Sequence, residues 1–198
     1  MLILASGSPR RRALLAEKGL LFDVRVSDAD ETPPAGASPE EAALIVARRK
    51  AQAVARTPDD IVIGADTTVV SPDGEVFGKP KNEADARRML GCLSGRTHTV
   101  ISGVAVLRGE KTFERAVRTR VRFRALTARE VDAYLATGEP FDKAGAYGVQ
   151  GRAGWFVESI EGDFYNVVGL PLEPLGELLA RAGFDVWENG RETALFSG

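Results

Sequence analysis

The 198-residue chain carries 26 basic and 28 acidic residues and is 44% hydrophobic, close to an average soluble globular protein, which excludes collagen-like, fibrous and disordered architectures. That length suits one sizeable core, or one core with a smaller lobe, rather than several independent domains. A net charge of −2 provides no global field for holding nucleic acid or an anionic membrane, so any anion site has to be local.

Residues 2–5, Leu2-Ile3-Leu4-Ala5, read as a short buried strand, and no basic segment precedes them as in a secretory leader. Ser6-Gly7-Ser8-Pro9 then turns into a helix capped by Ser8, with Pro9 first, an apolar stripe through Leu14 and Leu15, and an end near Gly19. Past an irregular acidic stretch at 28–37, Ser38, Pro39 and Glu41 spell a capping box for a second helix reaching about Ala55. The near-continuous apolar run 61–70 predicts a strand buried on both faces. Pro72-Asp73-Gly74-Glu75 is a turn, Asn82 opens a helix buried through Ala86, Met89, Leu90 and Leu93, and strands follow at 97–107 and about 113–126. Thr127 and Glu130 form another capping box for a helix that Gly138 stops. After the glycine-rich stretch 139–154 come strands around 156–160 and 164–169, then a last helix from about 173 to 182. The tail 184–198 has little periodicity and is expected to be partly mobile. Early alternation of helices and strands with strands clustered late predicts an α/β protein with a mixed sheet. No run has the length of a membrane span.

Cys92 and His98 are the only cysteine and histidine, which excludes disulfides, thiolate zinc sites and histidine-clustered metal sites and fits a reducing compartment. Chemistry therefore rests on carboxylates, lysines and arginines. Arg10, Arg11 and Arg12 stand in the first turn of a helix, where the free amides and the positive dipole end attract anions and disfavour cations by about 0.3–1 kcal/mol each. A polyphosphate at Arg10 and Arg11 would relieve that conflict, while Arg12 reads as splayed into water. The Walker A spacing is absent. Asp66 interrupts an apolar strand, so its charge needs a cation, a metal or a strand end facing a ligand. Asp28, Asp30 and Glu31 form an acidic loop of the kind most often merely solvated; beside a phosphate site it offers oxygen ligands to Mg²⁺. Lys50, Lys79 in Gly78-Lys79-Pro80, and the loop 142–151 with Lys143 and Gln150 complete the set, although a generic surface loop explains that glycine content equally well.

Taken together, Leu4-Ala5-Ser6-Gly7-Ser8-Pro9-Arg10-Arg11, Gly64-Ala65-Asp66-Thr67, Gly78-Lys79-Pro80, Leu93-Ser94-Gly95-Arg96-Thr97-His98, Asp142-Lys143-Ala144-Gly145-Ala146-Tyr147-Gly148-Val149-Gln150-Gly151 and Asn166-Val167-Val168-Gly169-Leu170-Pro171 resemble the Maf family of nucleoside triphosphate pyrophosphatases. The likeness covers residues 2 to about 180. It implies a mixed, twisted sheet flanked by helices in an ITPase-like (Maf/Ham1) two-lobed architecture with a central cleft, a single catalytic domain at 1–183, and a tail at 184–198 without an assigned role. It also implies hydrolysis of dTTP and UTP to the monophosphate and pyrophosphate by a cytoplasmic, metal-dependent enzyme. By motif, Asp66, Lys79 and Lys50 would be catalytic and Ser8, Arg10, Arg11, Thr67, Lys143 and Gln150 would bind substrate, with Glu31 and Asp66 holding Mg²⁺ or Mn²⁺. Arg10, Thr67 and Gln150 are the set resembling the members that prefer dTTP and UTP. The partners implied are the nucleotide and a second copy in a homodimer, with no membrane. The rival reading is a nucleic-acid-binding regulator of cell division using the alternating Arg118, Arg120, Arg122 and Arg124. Alternation is also what a strand with one wet face shows, and no aromatic platform accompanies it.

Overall fold

The computed structural model describes residues 1–189. In chain order the elements are β1 (Leu2–Leu4), α1 (Pro9–Glu17), β2 (Asp23–Val24), α2 (Pro39–Val54), β3 (Ile61–Val70), β4 (Val76–Phe77), α3 (Glu83–Leu93), β5 (Thr97–Arg108), β6 (Lys111–Phe123), α4 (Ala128–Leu135), β7 (Val157–Glu161), α5 (Phe164–Val168) and α6 (Leu172–Arg181), with 3₁₀ turns between α4 and β7. The strands form one mixed sheet in the order β2-β1-β3-β5-β6-β7, with β4 on β3. The chain divides into two compact units: unit 1 comprises Met1–Asp66, Ser102–Ala116 and the chain from Gly169 on, and unit 2 comprises Thr67–Ile101 and Val117–Val168. No helix among the described residues is long and apolar enough to cross a membrane.

In unit 1, β1 pairs in parallel with both β2 and β3, Ile3 lying opposite Asp23 and Val62. Parallel neighbours need long crossovers, here carried by α1 and α2. Both helices start where their caps dictate. Ser8 Oγ accepts from Arg11 N, and Ser38 and Glu41 exchange the reciprocal bonds of a capping box. Helix α2 lies very close to the sheet. A Cβ on Gly64 of β3 would stand 2.0 Å from the Ala47 carbonyl oxygen, and one on Gly103 of β5 would stand 2.4 Å from the Ala43 carbonyl carbon. Two glycines facing two alanines thus let backbone rest on backbone, with Ile3, Ala51, Val54, Val62 and Leu107 as apolar fill around the contact.

In unit 2, β4 pairs antiparallel with the end of β3 and β7 pairs antiparallel with β6, with a register shift at Arg122/Phe123. Its core joins Met89, Leu90 and Leu93 of α3 to Phe123, Tyr134 and Phe156. Helix α4 carries the expected Thr127–Glu130 capping box, and Gly138 ends the segment with φ +73.

One expected strand is a helix. Residues 164–168 form α5 because Asp163 Oδ1 accepts from the Tyr165 and Asn166 amides, a local cap that competes with a sheet ladder. Asn166 is then buried, its amide donating to the Val100 carbonyl and to Thr119 Oγ1. A short apolar run does not distinguish strand from buried helix by period. The two-residue strands β2 and β4 have no sequence signature, and β6 ends at Phe123, earlier than expected. Of the tail from 184, residues 184–189 hold an Asp185 side chain that accepts from the Trp187 amide; residues 190–198 lie outside the described residues.

Candidate active site

Unit 1 gathers Ser8, Arg10, Arg11, Glu31, Lys50 and Asp66. The close seating of α2 on Gly64 brings Lys50, one turn beyond Ala47, against the end of β3. Lys50 is only 8% exposed, and its Nζ lies 2.9 Å from Asp66 Oδ1 and 3.1 Å from Glu31 Oε1. One ammonium therefore links the two carboxylates proposed by motif, and it answers the question posed by a carboxylate in an apolar strand. Asp66 is the stronger partner, since the Glu31 side chain is 60% exposed and an exposed pair contributes about 0–1 kcal/mol. Of the acidic loop only Glu31 reaches Lys50; Asp30 instead turns back to accept from the Thr32 amide and pairs with Arg49.

Arg11, in the first turn of α1, is held by protein acceptors. It is buried, with Nε donating to the Gly169 carbonyl at 2.8 Å and Nη1 to the Ala65 carbonyl at 2.9 Å and to Ser6 Oγ at 3.3 Å. These carbonyls relieve part of the conflict with the helix dipole, and they tie α1 to the residue preceding Asp66. Burial lowers the Arg11 pKa, against the attraction of Asp66. Ser8 spends its hydroxyl as the cap of α1. Arg10 is half-buried beside it.

Unit 2 holds Thr67, Lys79, Lys143 and Gln150. Thr67 follows Asp66 within β3 and is half-buried, while Lys79 and Gln150 are exposed. Lys143 Nζ donates to the Glu139 carbonyl at 2.7 Å and to Asp142 Oδ1 at 2.5 Å, so in this state its ammonium is held by its own loop. The Gly78 carbonyl accepts from the Gly145 amide, which stitches the Lys79 segment to that loop. Gly145 and Ala146 have φ of +69° and +62°; for the alanine this conformation costs about 1–2 kcal/mol. Glu139, which carries no signal in the sequence beyond its place in the glycine-rich stretch, anchors the loop's far end, accepting from Tyr134 Oη and from the Arg152 amide.

His98 was also invisible as a loop contact. It is 1% exposed, its Nε2 lies 2.8 Å from Tyr147 Oη, and it meets the Phe123 and Tyr147 rings edge-on at 5.0 and 5.4 Å. Burial pushes its pKa down to about 4, so it is neutral at pH 7, and burial raises that of the Tyr147 hydroxyl. His98 Nδ1 is buried without a hydrogen-bond partner among the described residues.

The alternating arginines are largely neutralised. Arg120 pairs with Glu161, Arg122 with Glu158, and Arg124 with Glu130, whose pKa falls to about 2 chiefly through that Arg124 bond. Acids of β7 and α4 thus answer the basic stripe, which removes the field that nucleic-acid binding needs.

The fold is that of the Ham1-like α/β proteins. A HAM1 protein from Coxiella burnetii superposes with a TM-score of 0.50 at 15% identity, covering 91% of this chain and 98% of that one. Within that class the family is specific: the model of the Maf-like proteins matches residues 1–182, and the chain belongs to that family. Two relatives bear the name dTTP/UTP pyrophosphatase. The one from Symbiobacterium thermophilum is 50% identical over 190 residues, covering 96% of this chain and 97% of its own. The one from Moorella thermoacetica is 53% identical over 193 residues, covering 94% and 97%.

Proposed function

We propose that the protein hydrolyses dTTP and UTP between the α- and β-phosphates, yielding the nucleoside monophosphate and pyrophosphate. The observation that carries this reading is the near-buried Lys50 joining Asp66 and Glu31, with Arg11 of α1 bonded to the residue before Asp66, and the names of relatives at about half identity support it. In the reaction, water adds its oxygen to the α-phosphorus and the bond to the bridging oxygen of the β-phosphate breaks. Asp66, the partly exposed carboxylate of the pair, accepts the water proton. Lys50, 2.9 Å from its Oδ1, holds Asp66 in place for that role. Arg10, Ser8 and the amides at the start of α1 meet triphosphate oxygens, and Arg11 fixes the turn that presents them. Thr67, Lys79, Lys143 and Gln150 are assigned as further substrate contacts on motif alone; Lys143 must leave Glu139 and Asp142 to serve. Gln150 offers both a donor and an acceptor, as the imide edge of thymine or uracil requires.

Glu31 and Asp66 fit a hard divalent cation, because their oxygens already converge on one ammonium within 3.1 Å. Among the described residues no group of three His, Cys, Asp or Glu could hold an ion alone, so water or phosphate oxygens would complete the shell. Bound there, Mg²⁺ or Mn²⁺ would withdraw charge from the phosphoryl oxygens. The reading carries with it a cytoplasmic homodimer, checked by sedimentation of the purified protein.

The test is kcat/KM across dTTP, UTP, CTP and 7-methyl-GTP, scored for pyrophosphate rather than orthophosphate. dTTP and UTP should lead. Orthophosphate as the product, or 7-methyl-GTP in front, would overturn the reading.

A further inference from the structure

Lys143 and Gln150 hang on one loop whose backbone is strained at its centre, where Gly145 and Ala146 stand in succession in the left-handed region. Such a conformation persists at a non-glycine residue only where the surroundings over-determine it. The next residue is Tyr147, whose buried hydroxyl lies 2.8 Å from Nε2 of a histidine 49 residues away on β5. His98 belongs to a long strand and is packed edge-on against Phe123, which in turn meets Tyr147 at 4.8 Å. On one side the loop thus hangs from a three-ring cluster; on the other it is bonded to Gly78 next to Lys79.

We infer that His98, acting through its hydrogen bond to Tyr147, is a positioning residue that holds the Gly145–Ala146 turn in place and so fixes where Lys143 and Gln150 stand. The inference rests on the reading that this loop meets the nucleotide. Being 1% exposed, His98 acts through Tyr147 and not on substrate itself.

His98→Phe keeps a ring against Phe123 and removes Nε2. It should raise KM for UTP by about tenfold, the worth of one well-made hydrogen bond, while kcat falls much less. His98→Gln, which restores a terminal amide able to reach Tyr147, should bring KM back toward the wild-type value. Ala146→Gly in the His98→Phe background should recover part of KM, because glycine adopts the left-handed turn without help; a histidine that merely filled the core would give no such recovery. Should His98→Phe fail to fold, the wild-type protein still decides the matter. His98 is the only histidine, so its imidazole ¹⁵N resonances stand alone, and saturating α,β-imido-UTP with Mg²⁺ should shift them although the ring is enclosed. An unmoved imidazole resonance at saturation, or a wild-type KM in folded His98→Phe alongside a raised KM in Gln150→Ala, would overturn the inference alone. An unchanged KM in Gln150→Ala would overturn the underlying reading and this inference with it.

Discussion

Gly64→Ala is the smallest substitution that should disable the site without touching any of its functional groups. The added Cβ would lie 2.0 Å from the Ala47 carbonyl oxygen and 3.0 Å from both the Ala47 carbonyl carbon and the Ala51 nitrogen. All three are backbone atoms of α2, so no rotamer change relieves the overlap, and the helix has to lift by about 1 Å to reach even a tight contact. Overpacking of this kind costs about 1–3 kcal/mol, and the rigidity of both partners places it near 3. For a chain of this length that corresponds to a Tm lower by roughly 6–12 °C. Lys50, one turn further along, moves with the helix, and its 2.9 Å bond to Asp66 opens beyond hydrogen-bond range. A misplacement of about 1 Å can reduce turnover by about 10²-fold. The assay is thermal unfolding together with dTTP turnover measured well below the mutant Tm. Gly103→Ala is the control: its Cβ would meet Ala43 and Leu44 backbone at 2.4–2.6 Å, two turns from Lys50, so it should lose similar stability and much less activity. A Gly64→Ala protein with wild-type Tm and turnover would refute the seating of α2 as the source of the Lys50 geometry.

Asp66→Asn should keep the fold and lose about 10²-fold or more in kcat; unchanged turnover in a folded mutant would remove Asp66 from the chemistry. Chelation should abolish activity and Mg²⁺ or Mn²⁺ restore it, while full activity in demonstrably metal-free protein would contradict the Glu31–Asp66 assignment. His98 has a folded pKa near 4 against 6.5 for the free side chain, so the unfolded chain binds more protons between those values. Stability from this group is therefore complete above about pH 6.5 and declines toward pH 4, by about 3 kcal/mol. Tm followed across that window should fall less steeply in His98→Gln than in wild type, and equal slopes would be inconsistent with a buried neutral imidazole. Asn166→Ala removes the buried donor to the Val100 carbonyl and to Thr119 Oγ1, which keeps its bonds to Asp163, and should cost about 1–3 kcal/mol, read from urea unfolding.

The sequence spelled out what short-range chemistry decides. Ser8, Ser38, Asn82 and Thr127 each cap the helix they were expected to cap, because a cap involves residues three apart. The continuous apolar run located β3 to the residue. Residues 164–168 carry a strand-like apolar run, whereas their helix depends on Asp163 capping and on an asparagine buried against β5 and β6, neither visible in a period. The site was legible as a set of residues and not as a geometry. Lys50 and Asp66 were both marked, yet their bond follows from how deeply Gly64 and Ala47 let α2 settle. Arg11 is legible as a residue at an anion-attracting helix start, whereas its two carbonyl acceptors come from 54 and 158 residues away and leave no local signal. The His98–Tyr147 pair and the Glu139 anchor are likewise products of tertiary packing.

The bond from Arg11 to the Gly169 carbonyl has a consequence for how the protein is made. Its two ends leave the ribosome far apart in time: at about 5–20 residues per second, 158 residues take on the order of 10–30 s. During that interval β1, β2 and β3 can pair, since all three lie within the first 70 residues, and Arg11 Nη1 can reach Ser6 and Ala65, but the acceptor of its Nε does not yet exist. A nascent chain stalled ahead of Gly169 therefore holds the carboxylates and the lysine of the site while lacking one of the three acceptors that fasten its first helix through Arg11. The full set of Arg11 contacts is thereby timed by translation, closing only once Gly169 has emerged.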